Sequence, residues 1–203
     1  MPVVHLHSFT DHDRSGKIRW TAAELGLDVE EHRVVPGEHR KPPYTDKNPY
    51  GHIPTVEFDG QVLQESTAIC RFLVDTVQKP KLDVDRGEDG RQAYHFWTSV
   101  FCETMESRLV ESILSKSGIV DERFFELHER ALRRKLKVAA DMLPTDGYLC
   151  GTRFTLADIC AGYSLRLAVQ TNLLDWADVE SYMNRLRMRP AAEASRMFSS
   201  LKV

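Results

Sequence analysis

The amino-acid sequence predicts a mixed α/β domain followed by an all-helical domain. Residues 1–76 alternate strand patterns with helical ones, residues 78–90 are polar and carry Pro and Gly, and only helical periodicity follows. At 203 residues the chain is long enough for two small domains. We therefore predict one domain at 1–76, a linker at 77–90 and a second domain at 91–203.

The first domain opens with a strand, a helix and a strand. Val3–Ser8 alternates apolar and polar residues, as a half-buried strand does, and Val29–Val35 predicts a second strand. The helix between them carries Ile18, Ala22 and Leu25 on one face. The chain therefore begins with a β-α-β pattern.

The stretch from Asn48 to Ile69 predicts a hairpin and then a helix. Thr55–Phe58 and Gln61–Leu63 are the two strands, and Asp59-Gly60 between them is the strongest short hairpin signal. Glu65-Ser66 then opens a helix. This order of elements is that of a thioredoxin-like domain, with a mixed sheet and its ligand loops at one end.

Helical periodicity governs the second domain. Apolar residues three and four apart predict a long helix over residues 93–115 and another from Phe124 to Met142. Thr155 and Asp158 form a variant capping box that starts a further helix, and we interpret Asp158 as structural. The prediction is thus an α/β thioredoxin-like N-terminal domain plus an all-α C-terminal domain.

The composition excludes several classes of function. A net charge of −3 gives no electrostatic basis for binding nucleic acid or an anionic membrane. No apolar run approaches the length of about 18 residues that a membrane helix needs. The cysteines lack CxxC and metal-ligand spacing, so we expect free buried thiols, a reducing cytoplasmic location and no metal. They are Cys70, Cys102, Cys150 and Cys160.

Two features of the Asn48–Ile69 stretch point to a ligand. Pro54 stands at the start of a strand, where it cannot donate a ladder hydrogen bond, and a cis bond before it would turn the Ile53 backbone outward. Ser66 stands at a helix N-terminus, which attracts anions, and Glu65 adds a negative charge for an ammonium group. Together they suit a zwitterionic, peptide-like ligand, and a plain helix cap is the alternative.

This set of motifs resembles the glutathione-binding half of the cytosolic glutathione transferases. The family pattern is an Asn-Pro-x-Gly-x-(Val/Ile)-Pro turn, a hairpin and Glu-Ser opening a helix, which matches residues 48–66. Gly37–Pro42 resembles the basic loop of the plant-type phi members. Leu186–Pro190 resembles the family's ending, in which a proline precedes the last helix. The resemblance therefore covers most of the chain.

The resemblance implies that glutathione is the co-substrate. Glu65 would hold the amine of its γ-glutamyl end and Ser66 the carboxylate there. His39 and Arg40 would hold the glycine carboxylate, to which a guanidinium and an imidazole are suited. The implied glutathione-binding residues are His39, Arg40, His52, Ile53, Pro54, Glu65 and Ser66.

The loop that should activate the thiol departs from the family pattern of Tyr, Ser or Cys. No tyrosine precedes Tyr44, the usual Ser position falls on His12, and the Cys position falls on Asp13. Three alternatives stay open: His12 donates to the thiolate, Ser15 donates if the loop is shifted, or backbone N–H groups suffice. Asp13 would repel a thiolate, so we expect it to face away or to pair with Arg14.

The resemblance implies an enzyme that adds glutathione to a small hydrophobic electrophile, or a related peroxidase, isomerase or dehalogenase. The unusual loop keeps a non-catalytic binding or interaction protein as the alternative. We expect a homodimer with contacts from residues 65–76 and 94–109. Candidate residues for the electrophile pocket, most of which we expect to be core, are Tyr94, Trp97, Phe101, Met105 and Arg108.

Overall fold

The structure is a computed structural model that describes residues 2–77, 80–119 and 121–202. It divides into two compact units, one of residues 1–82 and 189–200, the other of residues 83–188 and 201–203. The elements of the first unit are β1 (Val4–Ser8), α1 (Ser15–Leu25), β2 (Val29–Arg33), a 3₁₀ turn (Glu38–Arg40), α2 (Tyr44–Lys47), β3 (Thr55–Phe58), β4 (Gln61–Gln64), α3 (Ser66–Thr76) and α9 (Pro190–Ala194).

The sheet of the first unit is mixed, as the element order predicts. Its strand order is β2-β1-β3-β4, with β1 parallel to β2 and antiparallel to β3. The hairpin joining β3 to β4 turns at Asp59 and Gly60, whose φ angles of 49° and 74° match the positive values of a type I′ turn. The predicted thioredoxin-like order is therefore confirmed.

Two helices cover the apolar core of the first unit. Leu6 on β1 lies opposite Val56 on β3, and both are fully buried. Ile18 of α1 and Ile69 of α3 are also fully buried, and these two helices pack on each other. The predicted apolar faces of both helices therefore point into one core.

Residues 189–200 belong with the first unit. Pro190 is the first residue of α9, a position that proline's fixed φ favours. Arg189 pairs with Glu24 of α1 at 2.6 Å, and the Phe198 ring packs edge-on against Trp20 at 5.4 Å. The predicted C-terminal domain, 91–203, includes this segment, so compact units and predicted domains differ there. Because compactness alone does not define a domain that folds independently, the boundaries stay a prediction.

The second unit is helical. Its central helix buries nearly every side chain, from Leu156 to Ala168. Its elements are α4 (Arg91–Ser99), a π-helical turn (Val100–Met105), α5 (Glu106–Lys116), α6 (Glu122–Asp141), α7 (Leu156–Gln170), a 3₁₀ turn (Trp176–Asp178) and α8 (Glu180–Arg187). None of the helices in the described ranges is long and apolar enough to span a membrane.

The predicted capping box at the start of α7 is present. The Asp158 carboxylate accepts hydrogen bonds from Thr155 N at 2.8 Å, Leu149 N at 2.9 Å and the Tyr182 hydroxyl at 2.7 Å. Burial raises the pKa of Asp158, against the effect of these donors. A carboxylate with three such partners at a helix N-terminus is structural, as we interpreted it.

Three predictions need correction. The long helix over 93–115 is interrupted by the π-helical turn at Val100–Met105. The second strand ends at Arg33 rather than Val35. All four cysteines are free, but Cys102 and Cys150 are only half-buried, so the expectation of four buried thiols is wrong for those two.

Candidate functional site

The loop between β1 and α1 is organised by Asp13. Its carboxylate accepts hydrogen bonds from the backbone N–H groups of Phe9 and Thr10, both at 2.8 Å, and of Ser15 at 2.7 Å. The Asp13 side chain thus points toward the main chain of its own loop and binds it. Sequence reasoning missed this role, although an Asp just before a helix is a recognised capping signal.

The two candidate thiol donors differ in accessibility. His12 is exposed, and its backbone N–H donates to Thr10 Oγ1 at 3.1 Å. Ser15 is the first residue of α1 and is fully buried, and its hydroxyl has no hydrogen-bond partner among the described residues. His12 is therefore accessible from solvent, whereas the Ser15 hydroxyl is not.

Backbone donors are the third alternative, and many of those in the loop already have acceptors. The N–H groups of Phe9, Thr10, His12 and Ser15 bind side chains, while that of Gly16 binds Asp13 O at 3.1 Å. A donor already committed inside the loop is a poorer partner for a thiolate. These N–H groups are therefore less available to a thiolate than unbonded ones would be.

The Arg19 side chain stabilises this loop through hydrogen bonds, a role that the sequence does not predict. Its guanidinium is buried and donates to Asp11 O and Glu31 Oε1, both at 2.6 Å, and to Ser195 O at 3.1 Å. Each hydrogen bond to a charged group is worth about 1.5–3 kcal/mol when it is made well. The main chain around His12 is therefore held from both ends.

The loop with His39 and Arg40 and the loop with His52, which we expect to bind the glycine carboxylate of glutathione, approach each other at Gly51. Gly51 has φ +58°, and a Cβ there would lie only 2.8 Å from His39 O, so this close approach requires glycine. The Phe9 ring meets the His39 imidazole edge-on at 4.8 Å. The pKa of His39 is lowered, mainly by partial burial and to a smaller extent by the nearby charges of Arg40 and His52. The structure thus brings His39, Arg40 and His52 together beside the first loop.

Buried polar side chains hold the turn that contains the predicted cis proline. The carbonyl of His52 accepts hydrogen bonds from the Tyr44 hydroxyl at 2.7 Å and Asn48 Nδ2 at 3.0 Å. Asn48 and Thr55 are buried and bonded to each other at 2.9 Å. The Ile53–Pro54 bond is cis, which confirms that prediction.

The start of α3 has an unusual backbone. Glu65 lies just before the helix with φ +63° and ψ 110°, a conformation that costs a non-glycine residue about 1–3 kcal/mol. Glu65 is exposed, while Ser66, the first helical residue, is buried. The fully buried Lys17 of α1 donates to Thr67 Oγ1 at 3.4 Å. The Lys17 side chain therefore lies close to this N-terminus.

The predicted electrophile residues lie in the second unit and are mostly core. Tyr94, Trp97, Phe101 and Met105 are all buried, and the Trp97 and Phe101 rings stack at 5.6 Å. Arg108 pairs with Glu111 at 2.9 Å. Two of these residues, with eight others, line an apolar pocket of about 280 Å³. Its lining residues are Phe96, Trp97, Val100, Thr104, Met105, Arg134, Lys135, Val138, Ala139 and Met142.

Family models match both parts of the chain. The glutathione S-transferase N-terminal domain matches residues 14–76, and the glutathione S-transferase C-terminal domain matches residues 110–186. Glutathione S-transferase 3 of Zea mays is 31% identical over 146 residues, 66% of this chain and 64% of that protein. Glutathione S-transferase GstA of Escherichia coli O157:H7 is 24% identical, over 88% of this chain and 87% of that protein.

Solved structures share the fold. The glutathione transferase URE2P6 of Phanerochaete chrysosporium, in complex with oxidised glutathione, has a TM-score of 0.82 at 21% identity and covers 96% of this chain and 94% of that chain. Glutathione transferase F7 of Populus trichocarpa has a TM-score of 0.79 at 22% identity and covers 95% of this chain and 97% of that chain.

Proposed function

Because the chain belongs to the cytosolic glutathione transferase family, we propose that it binds glutathione and adds its thiolate to a small hydrophobic electrophile. The observation that carries this proposal is the start of α3. Glu65 has a strained backbone and an exposed side chain, and it precedes a buried serine, Ser66, at a helix N-terminus. Strain of this kind persists where the surroundings enforce it, and it concentrates at ligand sites.

Glutathione would lie along the loops of the first unit. Glu65 takes the amine of the γ-glutamyl end, and Ser66 with the N-terminal amides of α3 takes its carboxylate. The backbone of Ile53, beside cis Pro54, pairs with the peptide backbone of the ligand. Ile53 lies just ahead of β3, which begins at Thr55, so its main chain is outside the strand ladder.

The other end of glutathione would meet the basic loop. His39, Arg40 and His52 lie close together, and the three offer imidazole and guanidinium groups to the glycine carboxylate. This arrangement supports the phi-like assignment of the Gly37–Pro42 loop, which stays part of the proposal. No metal is needed for this chemistry.

The thiol would be activated by His12. A thiol with a pKa of about 8.5 is mostly protonated at neutral pH, and lowering that pKa by about two units requires about 2.7 kcal/mol of preferential interaction with the thiolate. A charge-assisted hydrogen bond from an imidazolium supplies energy of that order. His12 is accessible, whereas Ser15 is buried, so we assign the donor to His12 and keep Ser15 as the alternative.

The electrophile would bind along α4 and the π-helical turn. π-helical turns occur often at functional sites, and this one contains Phe101 and Met105. Trp97 and Met105 also line the 280 Å³ apolar pocket. A small hydrophobic molecule suits such a pocket, and Tyr94 and Arg108 remain candidate contacts on the same helical stretch.

A non-catalytic binding protein is the second candidate function. His12 and Asp13 stand where the family pattern has Ser or Cys, and Asp13 is used to organise the loop. Such a protein would bind glutathione through the same residues but would leave its thiol protonated. The reducing cytoplasm is the compartment that we propose in either case, since the four cysteines are free.

A second copy of this chain is the proposed partner. Phe96, Val138 and Met142 border the 280 Å³ pocket and are 41%, 54% and 52% exposed, which makes an apolar patch suited to a protein contact. Phe96 lies within the predicted contact segment, 94–109. We expect light scattering after size exclusion to give a dimer mass for the wild type and a monomer mass for Met142→Glu. An unchanged dimer mass in Met142→Glu would contradict the placement of this patch in the dimer contact.

Two measurements on the wild-type protein test the proposed function. The enzyme should bind to immobilised glutathione and elute with free glutathione, and it should conjugate a chromogenic aryl electrophile faster than the uncatalysed reaction. Binding without conjugation would select the non-catalytic function. Neither binding nor conjugation would contradict both.

A further inference from the structure

Three side chains on one face of the sheet lie where a metal ion could bind them together. β1 and β2 are parallel, and their register places His5 beside Glu30 and His7 beside His32. Side chains two residues apart point to the same face of a strand. His5, Glu30 and His32 therefore share a face, and a ligand atom from each lies within 4.8 Å of the other two.

Each imidazole lies near one oxygen of the Glu30 carboxylate, at about the separation of two ligand atoms on one ion. His5 Nδ1 lies 3.4 Å from Glu30 Oε2, and His32 Nε2 lies 3.5 Å from Glu30 Oε1. A zinc ion with bonds of about 2.0–2.2 Å places its ligand atoms about 3.4 Å apart. Two imidazoles and a carboxylate are a ligand set that Zn²⁺ commonly uses, and imidazole also suits Cu²⁺ and Ni²⁺.

The rings need a modest rotation to bind. A metal ion lies in the plane of each imidazole that coordinates it, whereas the His5 and His32 rings stack with centroids 5.7 Å apart and planes 20° apart. The side chains of His5, His32 and Glu30 are 43%, 42% and 59% exposed, so solvent surrounds each of them. The χ2 torsion of histidine is broad, and rotation in an exposed position costs little.

His7 steadies the neighbouring ring rather than adding a ligand. Its ring stacks on that of His32 at 5.2 Å, while its Nε2 is bonded to Glu57 Oε1 at 2.8 Å. His7 is buried, and its ring covers one face of the His32 imidazole. The other side of His32 faces His5.

We propose that His5, Glu30 and His32 form a binding site for a divalent transition metal ion of the Zn²⁺ type, separate from the glutathione residues. Three protein ligands leave the fourth tetrahedral position to water. Such an ion would cross-link β1 and β2, and because it binds only the folded chain it would stabilise the first unit.

Calorimetric titration of tag-free protein with ZnCl₂ tests this site. The buffer contains no glutathione, so the result does not depend on the proposed transferase function, and its pH lies above the ordinary imidazole pKa of about 6.5. We expect one Zn²⁺ per chain in the wild type, and an affinity weakened at least about tenfold in Glu30→Gln. His5→Ala/His32→Ala should abolish binding.

The chain offers a matched control for the loss of two histidines. His95 and His128 are exposed and lie in the second unit, so His95→Ala/His128→Ala removes the same number of imidazoles. This control should bind Zn²⁺ as the wild type does. Absence of binding in the wild type, full binding in His5→Ala/His32→Ala, equal loss in the control, or no effect of Glu30→Gln would each overturn the proposal. The single variants His5→Gln and His32→Gln, which keep a polar side chain, give the same test if the double variant does not fold.

Discussion

The same dipeptide, Glu-Ser, begins two helices of this protein in different surroundings. Glu65-Ser66 begins α3, with Glu65 at φ +63° and Ser66 buried. Glu180-Ser181 begins α8 in the second unit, where both residues are exposed and Glu180 is an ordinary first-turn acid. A helix dipole is available at both places.

The ionisable side chains beside the two helices differ. Near α3, the buried Lys17 contacts Thr67. Just before α8 the chain carries Asp175 and Asp178, and the latter pairs with Lys137 at 3.0 Å. The two helix starts therefore differ in their surroundings, with a buried lysine beside α3 and aspartates just before α8. The dipeptide alone is a weak signal, and its surroundings make it a candidate site.

The largest expected effect concerns His12, the proposed thiol donor. If the loop completes this site, His12→Gln should lower kcat/KM for conjugation by about tenfold to a hundredfold, because the thiolate loses a charged donor. Ser15→Ala should change kcat/KM little, since the Ser15 hydroxyl is buried and has no hydrogen-bond partner in the described part of the chain. A larger loss of kcat/KM in Ser15→Ala than in His12→Gln would identify Ser15 as the thiol donor. Small losses in both variants would indicate that backbone N–H groups stabilise the thiolate.

An intermediate effect is expected where buried polar groups hold the site. Asn48→Ala removes the donor to His52 O and Thr55 Oγ1 and the side-chain acceptor of the Tyr50 N–H, while the Tyr44 hydroxyl still contacts the first two atoms. We expect a loss of about 1–3 kcal/mol in the free energy of unfolding, measured with denaturant, and weaker glutathione binding. Tyr44→Phe, which keeps the ring, should lose less. Full stability in Asn48→Ala would mean that this network does not hold the turn.

The smallest effect is a pH dependence at Glu57. Hydrogen bonds from Lys47, the larger cause, and from His7 lower the pKa of Glu57 from 4.5 to about 2. A lowered folded-state pKa contributes stability that is present above about 4.5 and lost as pH falls through about 2. The side chain is 37% exposed, so solvent screening makes the contribution small.

Thermal unfolding of the wild type and Glu57→Gln at a series of pH values measures this contribution. The Tm advantage of the wild type should shrink as pH falls from 4.5 toward 2. A constant difference in Tm across that range would show that the two hydrogen bonds do not depend on the ionised carboxylate.

Much of the fold could be predicted because its signals are local. Asp59-Gly60 needs no distant partner to specify a tight turn, and Thr155 with Asp158 specifies a helix start. The π-helical turn at Val100–Met105 could not be predicted, since its apolar residues keep the three- and four-residue spacing of an ordinary helix. The half-burial of Cys102 and Cys150 likewise depends on packing between helices.

The candidate site was only partly predictable for the same reason. Glu65 and Ser66 are visible as a motif in the sequence. The positive φ of Glu65 and the burial of Lys17 near α3 arise from tertiary structure. The proposed metal ligands show a similar limit. His-x-His and Glu-x-His patterns are visible in the two strands, yet only the parallel register of β1 and β2 brings His5 and His32 to one carboxylate. The expectation of no metal rests on the spacing of the cysteines alone.

Glutathione titration calorimetry on two double variants tests the central claim most directly. Glu65→Ala/Ser66→Ala should weaken glutathione binding by at least about tenfold, or about 1.4 kcal/mol, while the unfolding midpoint stays near that of the wild type. Glu180→Ala/Ser181→Ala, which removes the same dipeptide from α8, should bind glutathione with wild-type affinity. Unchanged affinity in the first variant, or an equal loss in the second, would contradict the assignment of the start of α3 as the glutathione site.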